Sequence, residues 1–600
     1  MLDPNGRSLY TSLLTPPPGY SLDQALGTTF SLDIPTLLTI PVHLSLLGAE
    51  RRDDGIAVYE SVRRTMDRVT LYLQRGQMRA PKDGEPLFGL LEPCMVEVEP
   101  PGDGVFHPKV WVLRFRPDEG VPEPPLLRVA ILSRNVTDDR SWDLSLQLDG
   151  ELGEESIEAN RPLARLLESL PGLATREVDA DRRAQARGLA RDLMACKFAL
   201  PPGAESLEFA VPGLPGMRWE PEASDRLAVI SPFLKDAALG RLAGASGGPV
   251  ALISRPEELE QVSPDVCGGF GGCYVLHEAA ETEDNEGEID HDTHGLHAKA
   301  WISERGTRTS ITLGSANVTD AALLAQHNLE VIATLKGPRR KLGGIDDLLG
   351  EKGLGGVLQR WEPGERAEPE AAELVRARER LERARTELAR GGLRVVCEAG
   401  NSEDMWRWWL VGQVELPESV NCRVWPVSRS PSDAVALGEG GDTGRSELPY
   451  GGVAYLTGVI AFELTDPAAD HALRFALNLP IEGLPVEERE AAILRAVVEN
   501  RDGFLRYLML LLANDDAAAG AFIPMAGSGH GHWQRVVLDE LPLLEEMTRC
   551  YSREPERLRD IAEMIERLQG RLGTSDLVPP EFEALWRTYQ EAMEHRDGRD

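Results

Sequence analysis

The chain of 600 residues is 42% apolar and 27% charged, ordinary values for a globular protein with room for roughly two to four domains. No run approaches the ~20 apolar residues that span a bilayer, and Met1-Leu2-Asp3-Pro4-Asn5-Gly6 lacks the basic and apolar regions of a secretory signal, so a cytoplasmic protein is expected. Seven scattered cysteines argue against a disulfide framework, and a net charge of −34 argues against a free-standing duplex binder, although bulk charge says little about any one groove.

Residues 1–24, with Pro16, Pro17, Pro18 and Gly19, are predicted to be an extended arm. A short strand over 28–34 leads to a helix or buried loop at 37–44. Residues 55–60 are predicted helical, and 69–74 and 95–99 form strands. The β-branched runs 110–115 and 127–133 are further strands, joined by an acidic, proline-rich loop at 117–125, and another strand covers 142–148. Helical patterning over 160–200 is broken by Pro201, Pro202 and Gly203.

A buried strand at 227–234, a helix over 235–245 and a strand at 249–254 come next. Cys267 and Cys273 flank a glycine-rich loop and are read as reduced thiols, not as a zinc site. After an acidic insertion at 278–292 come strands at 300–303 and 309–314, a helix from Asp320 and a strand at 329–334. Both halves read as β-α-β-β-β-α-β, an α/β fold with a mixed sheet.

Residues 365–390 form a charged helix with i,i+3 and i,i+4 ion pairs, expected to be a solvated connector. Strands at 406–415, 453–464 and 473–479 suggest a small β domain; Trp406, Trp408 and Trp409 are of a type that can stack bases, with core packing of an alternating strand the commoner use. From 486 onward the patterning is helical, expected to be a bundle packed on the β domain.

One pattern occurs twice. His107-Pro108-Lys109-Val110-Trp111 is followed by Ser133-Arg134-Asn135-Val136-Thr137-Asp138, and His297-Ala298-Lys299-Ala300-Trp301 by Ser315-Ala316-Asn317-Val318-Thr319-Asp320. Seven shared positions in one order indicate an internal repeat. The repeat resembles the phospholipase D superfamily, whose members join two His-x-Lys…Gly-Ser-x-Asn half-sites into one phosphodiesterase centre. Gly314-Ser315-Ala316-Asn317 matches that pattern closely, whereas the first copy has Leu132 in place of the glycine. Five residues after the lysines, where the family usually has an acid, stand Arg114 and Glu304. In this the chain looks more like the tyrosyl-DNA phosphodiesterase and nuclease branches, which use His, Lys and Asn.

The resemblance covers about residues 25–340. It implies two phospholipase D-like repeats, 25–210 and 211–362, each with a mixed sheet flanked by helices. A charged connector (363–392), a small β-rich domain (393–482) and a helical C-terminal domain (483–600) then follow the arm and the repeats.

Phosphodiester cleavage needs a nucleophile, a proton donor for the leaving oxygen and charge stabilisation on the phosphoryl oxygens. His107 and His297 suit the first two tasks, since imidazole titrates near neutral pH. The resemblance implies that the N-terminal copy supplies the nucleophile, His107, with His297 as general acid. The residues themselves do not separate the two roles. Lys109, Lys299, Asn135 and Asn317 would hold the phosphate, doing what a metal ion does elsewhere, so no metal or other cofactor is expected.

Ser133 and Ser315 would support the turn or the phosphate. By resemblance Glu330 orients a catalytic histidine, with Asp143 the candidate in the first copy. Asp290, His291, Asp292 and His294, near His277 and His297, are metal-ligand types without structural-site spacing, and the acidic insertion is instead read as a gate over the cleft.

The expected function is therefore a metal-independent phosphodiesterase acting on nucleic acid through a phosphohistidine. It would be a nuclease or a DNA-end-processing enzyme, and by analogy the nuclease of a bacterial defence system partnered by a helicase. A non-catalytic binding or assembly subunit of the same fold is the rival from another class. A lipid phosphodiesterase is disfavoured by the lack of membrane-binding helices.

Overall fold

The first sheet begins inside the predicted arm. Ser21 to Asp23 continue the strand β1 (Tyr20–Thr29), and Leu13 and Leu14 are buried on a short helix, α1 (Tyr10–Leu14). Pairing with a neighbouring strand satisfies the backbone there, so the segment is sheet and not an extended tail. The computed structural model describes residues 10–45, 55–100, 102–118, 120–139, 141–277, 295–362, 371–400, 405–437, 444–512, 543–569 and 576–597.

After β1 come β2 (Leu32–Asp33), β3 (Val69–Gln74), β4 (Met78–Arg79), β5 (Met95–Val98), β6 (Val110–Pro117), β7 (Leu126–Leu132), β8 (Ser145–Leu152) and β9 (Cys196–Phe198). Seven of them form one sheet in the order β5-β3-β1-β6-β7-β8-β9. The second half contributes β10 (Ser206–Ala210), β11 (Arg226–Ile230), β12 (Pro249–Ile253), β13 (Cys273–Leu276), β14 (Ala300–Arg305), β15 (Arg308–Gly314), β16 (Ile332–Pro338) and β17 (Leu358–Arg360). Their order is β10-β16-β15-β14-β11-β12-β13-β17.

The stretch β13-β12-β11-β14-β15-β16 repeats β5-β3-β1-β6-β7-β8, with the same parallel pairs on one side and antiparallel pairs on the other. The two halves are one duplicated α/β unit. The expected order β-α-β-β-β-α-β needs correction at its end. Among the described residues no helix separates β7 from β8, and β15 reaches β16 through a single π turn, Asp320–Leu324.

Local sequence explains the flanking helices. Asp33 caps α2 (Ile34–Leu44) by accepting the Thr36 amide at 2.9 Å, and Pro35 fits the first turn. After α3 (Gly55–Thr65) the first repeat closes with α4 (Arg161–Leu173) and α5 (Ala180–Ala195), the latter capped by Asp179. Alternation along β1, β6 and β7 splits their side chains between two cores. Leu26, Val112 and Val129 share one with α4, α5 and the inner face of the second sheet, including Ile230 and Ile302. Ala25, Leu113 and Ala130 face α2, α3 and the C-terminal helices. The outer face of the second sheet is covered by α6 (Asp236–Gly244) and short helices near it.

The charged helix Ala372–Arg390 is not a solvated connector. Ala377, Leu381, Ala384 and Leu388 bury one face on the β unit, while Arg380 pairs with Asp466 at 2.8 Å. That unit holds β18 (Arg394–Ala399), β19 (Trp406–Val411), β20 (Asn421–Pro426), β21 (Val435–Ala436), β22 (Arg445–Glu447), β23 (Val459–Thr465), β24 (Leu473–Asn478) and β25 (Ile481–Glu482). Trp408 and Trp409 are buried, Trp408 donating to the Pro449 carbonyl at 2.6 Å.

The unit also merges with the first repeat, because β4 and β2 extend its sheet beside β24. The C-terminal helices pack on the first repeat as well as on the β unit. Tyr507 donates to the buried Glu60 of α3 at 2.5 Å. Arg489 donates to the buried Glu92 at 2.9 Å, and the same carboxylate takes up Thr457 and the Gly458 amide.

Removing one partner of such a buried pair strands the other charge in low dielectric. Arg489→Met is therefore expected to cost about 3 kcal/mol, read as a lowered urea midpoint. An unchanged midpoint would show that this junction contributes nothing to stability.

Candidate active site

The two histidine segments lie just before β6 and β14, and the two Ser-x-Asn segments just after β7 and β15. Pairing of β6 with β7 and of β14 with β15 brings each His-Lys beside its own Ser-x-Asn. Two short bridges then knit the halves together. Phe106 pairs with Leu329 and Trp142 with Leu296, giving His107 N to Leu329 O and His297 N to Trp142 O, both 2.9 Å.

The bridges carry the carboxylates across. His107 Nδ1 lies 2.9 Å from Glu330 of the second half, and His297 Nδ1 lies 3.0 Å from Asp143 of the first. Each histidine is thus oriented by the other repeat. An ionised carboxylate only accepts, so both Nδ1 atoms carry the proton and both Nε2 atoms keep a lone pair. The serines hold the carboxylates: Ser133 Oγ donates to Asp143 at 2.7 Å and Ser315 Oγ to Glu330 at 2.5 Å. Each serine also accepts the amide of the residue after its carboxylate, Leu144 at 2.8 Å and Val331 at 3.0 Å. The serines support the turn.

Lys109 and Lys299 are fully buried, and each ammonium donates to the carbonyl of its own histidine, at 3.1 and 2.6 Å. Lys299 also reaches across to the Ser133 carbonyl at 3.3 Å. Asn135 Oδ1 accepts the Phe30 amide at 3.3 Å, which leaves its NH₂ as a donor. In the second half the residue equivalent to Phe30 is Pro232, which has no N–H, and the buried Asn317 Oδ1 has no partner among the described residues. Phe30, whose ring centroid is 5.4 Å from that of His107, was not singled out in the sequence because nothing in its own neighbourhood points to the histidine.

The glycine difference between the copies has a steric reason. A Cβ at Gly314 would sit 2.1 Å from the Val331 carbonyl, because the chain presses on the segment that carries Glu330. The acid positions of the usual family pattern lie outside the site. Glu304 is buried against Arg226 and Arg339, and Arg114 pairs with Asp23 and Asp192. Of the histidine-rich insertion, residues 278–294, including Asp290, His291, Asp292 and His294, lie outside the described residues, so the metal and gate readings lie there too. No group of three or more metal-ligand side chains stands together among the described residues, and no helix among them is long and apolar enough to cross a membrane.

Burial dominates the electrostatics. It pushes His297 down to about 4, with Lys299 adding to the effect and Asp143 opposing it. His107 is lowered for the same reason, partly offset by Glu330. Burial lowers Lys299 to about 7 and Lys109 well below the usual lysine range. Burial would raise both carboxylates, but the histidines and lysines beside them outweigh it and hold them low. The site is short of positive charge when empty and can gain it by taking up protons.

An anion bound between the lysines favours their charged forms, so binding and protonation are linked. Below pH 7 Lys299 is already charged. Above it, each binding event must also take up a proton. Sulfate keeps its charge across this range, and its affinity should fall by at least about tenfold per pH unit above 7, one decade for each proton taken up, as measured by calorimetry. A flat profile from pH 6 to 9 would mean that Lys299 is an ordinary lysine.

No family profile and no curated protein matches the sequence. Among solved structures the chain is similar to the phosphatidylserine synthase of Haemophilus influenzae Rd KW20, at 12% identity and a TM-score of 0.31 over 63% of this chain and 91% of that one. It is also similar to the polyphosphate kinase from Porphyromonas gingivalis, at 12% identity and a TM-score of 0.26 over 53% of this chain and 43% of that one. At this level of similarity nothing about substrate or chemistry transfers.

Proposed function

We propose that the chain is a phosphodiesterase of the phospholipase D type, acting on nucleic acid without a metal ion. The observation that carries this reading is the crossed pair of His–carboxylate contacts, each beside a buried lysine, around a pseudo-twofold centre. One centre then offers two imidazoles, two potential ammonium groups and two amides to a single tetrahedral anion.

In this mechanism the lysines and asparagines bind the non-bridging oxygens. His107 Nε2 attacks phosphorus, the bond to the leaving oxygen breaks, and His297 gives that oxygen its proton. The bound anion raises His297 from its low value in the empty site, so that it can carry this proton. Water then attacks the phosphohistidine, His297 takes the water's proton, and the P–N bond breaks to return His107. Nucleic acid as substrate, and a helicase partner in a bacterial defence system, extend the same reading. A partner's positive surface would offset the charge of −34.

Wild type should cleave labelled single- or double-stranded DNA in excess EDTA, with His107→Ala slower by at least ~10³. Cleavage that EDTA abolishes, or cleavage undiminished in the variant, would overturn the mechanism. Asp143→Asn and Glu330→Gln should each lower kcat by about 10³, since each carboxylate fixes one imidazole tautomer. Roles separate with a p-nitrophenyl phosphodiester, whose leaving group needs no proton. His297→Ala should then accumulate an acid-labile phosphoprotein and His107→Ala none, and the opposite pattern would exchange the two roles.

A further inference from the structure

The half-sites correspond residue by residue, which makes their differences informative. Thr29 and Ser231 are equivalent: each hydroxyl accepts the amide of the valine after the asparagine, at 3.1 and 3.0 Å. Each also donates at 2.7 Å to a carbonyl two residues on, Ser31 and Phe233. One strand over, Gln74 and Arg255 are equivalent. Gln74 Oε1 accepts the amide of Phe106 at 2.7 Å, and Arg255 Nε donates to the carbonyl of Leu296 at 2.8 Å. Residues 106 and 296 each precede a catalytic histidine, so both side chains brace the same point.

The second half therefore carries a guanidinium where the first carries a neutral amide. It also carries an aromatic where the first carries Ser31. The Arg255 guanidinium lies 5.3 Å from the centre of the Phe233 ring, and Phe233 is 39% exposed, one of few large apolar side chains left to solvent among the described residues. Phe30, the aromatic of the first half, is instead turned in against His107, with Lys109 Nζ 5.9 Å from its centroid. Arg255 is close enough to be one of the charges acting on Lys299. Stability does not call for an exposed phenyl ring, whereas a ring beside a guanidinium suits an unstacked base and its phosphate.

We propose that Phe233 and Arg255 form a nucleotide subsite on the His297 side of the centre, in which an unpaired base stacks on Phe233 and Arg255 holds the adjoining phosphate. The substrate is then single-stranded at the cleavage point. The subsite rests on the phosphodiesterase reading for its place in catalysis, but its binding is measurable without turnover.

The test uses the full chain carrying His107→Ala and fluorescence anisotropy with labelled oligothymidylate, alone and as a duplex with oligoadenylate. The parent should bind the single strand more tightly than the duplex. Adding Phe233→Ala should weaken single-strand binding about tenfold. Adding Arg255→Gln, which installs the residue of the first half, should reduce the slope of log K against log salt by about 0.7. Equal binding with and without Phe233, a parent that prefers duplex, or a parent that binds neither would overturn the subsite. In the active protein, Phe233→Ala should lower the ratio of kcat/KM on the oligonucleotide to that on bis(p-nitrophenyl) phosphate about tenfold; an equal fall on both substrates counts against it. Failure of the wild type to cleave either substrate overturns the phosphodiesterase reading alone, because anisotropy still decides the subsite.

Discussion

The exchange of carboxylates between the repeats is the constraint on which the site depends. Glu330 belongs to the second half and holds His107 of the first; Asp143 belongs to the first and holds His297 of the second. Neither half contains a complete set of groups. The exchange is possible because the strand ends of both sheets meet over a shared core and trade backbone hydrogen bonds at residues 106, 142, 296 and 329. Those bonds satisfy backbone groups that a bare interface would leave buried and unpaired.

Burying six titratable side chains together is expensive unless their charges compensate. Here the carboxylates keep their charge by accepting from histidine and serine, while burial weakens the hold of histidine and lysine on their protons. The empty arrangement is short of positive charge, and proton uptake is what supplies it. Under the proposed function, a tetrahedral anion held between the lysines would draw those protons on, because the low dielectric strengthens the pull of its charge.

The duplication is symmetric at the centre and asymmetric outside it. The outer face of the first sheet carries α2, α3, the C-terminal helices and part of the β unit, all in one continuous core. Among the described residues, the second sheet is covered by short helices of its own half together with Trp219 and Trp361. The C-terminal third of the described chain is therefore built onto the first repeat through buried polar contacts such as Arg489–Glu92 and Tyr507–Glu60. At the site itself the asymmetry appears as Gln74 against Arg255, and as Asn135 held by the Phe30 amide against Asn317, whose Oδ1 has no partner among the described residues.

Much of this was legible in the sequence. The double His-x-Lys-x-Trp…Ser-x-Asn-Val-Thr pattern marked the repeat and eight of the residues that meet, because strand alternation and short loops place motif residues at strand ends whatever the rest of the chain does. Glu330 and Asp143 were also readable as candidates, though not as partners of the opposite histidine, since pairing across 154 or 223 positions leaves no local trace. The same limit hid Phe30 and Arg255, whose roles come from what lies beside them in space. Local pattern also misjudged the helix Ala372–Arg390 and the N-terminal arm, where charge and proline suggested solvent and the tertiary fold supplied a surface to bury them against. The sequence by itself determined the strands, the duplication and the chemical groups, because those follow from local periodicity and composition. Only the tertiary structure decided which histidine each carboxylate serves and how far burial shifts their protons, because both depend on chain segments that meet only when the two sheets pack together.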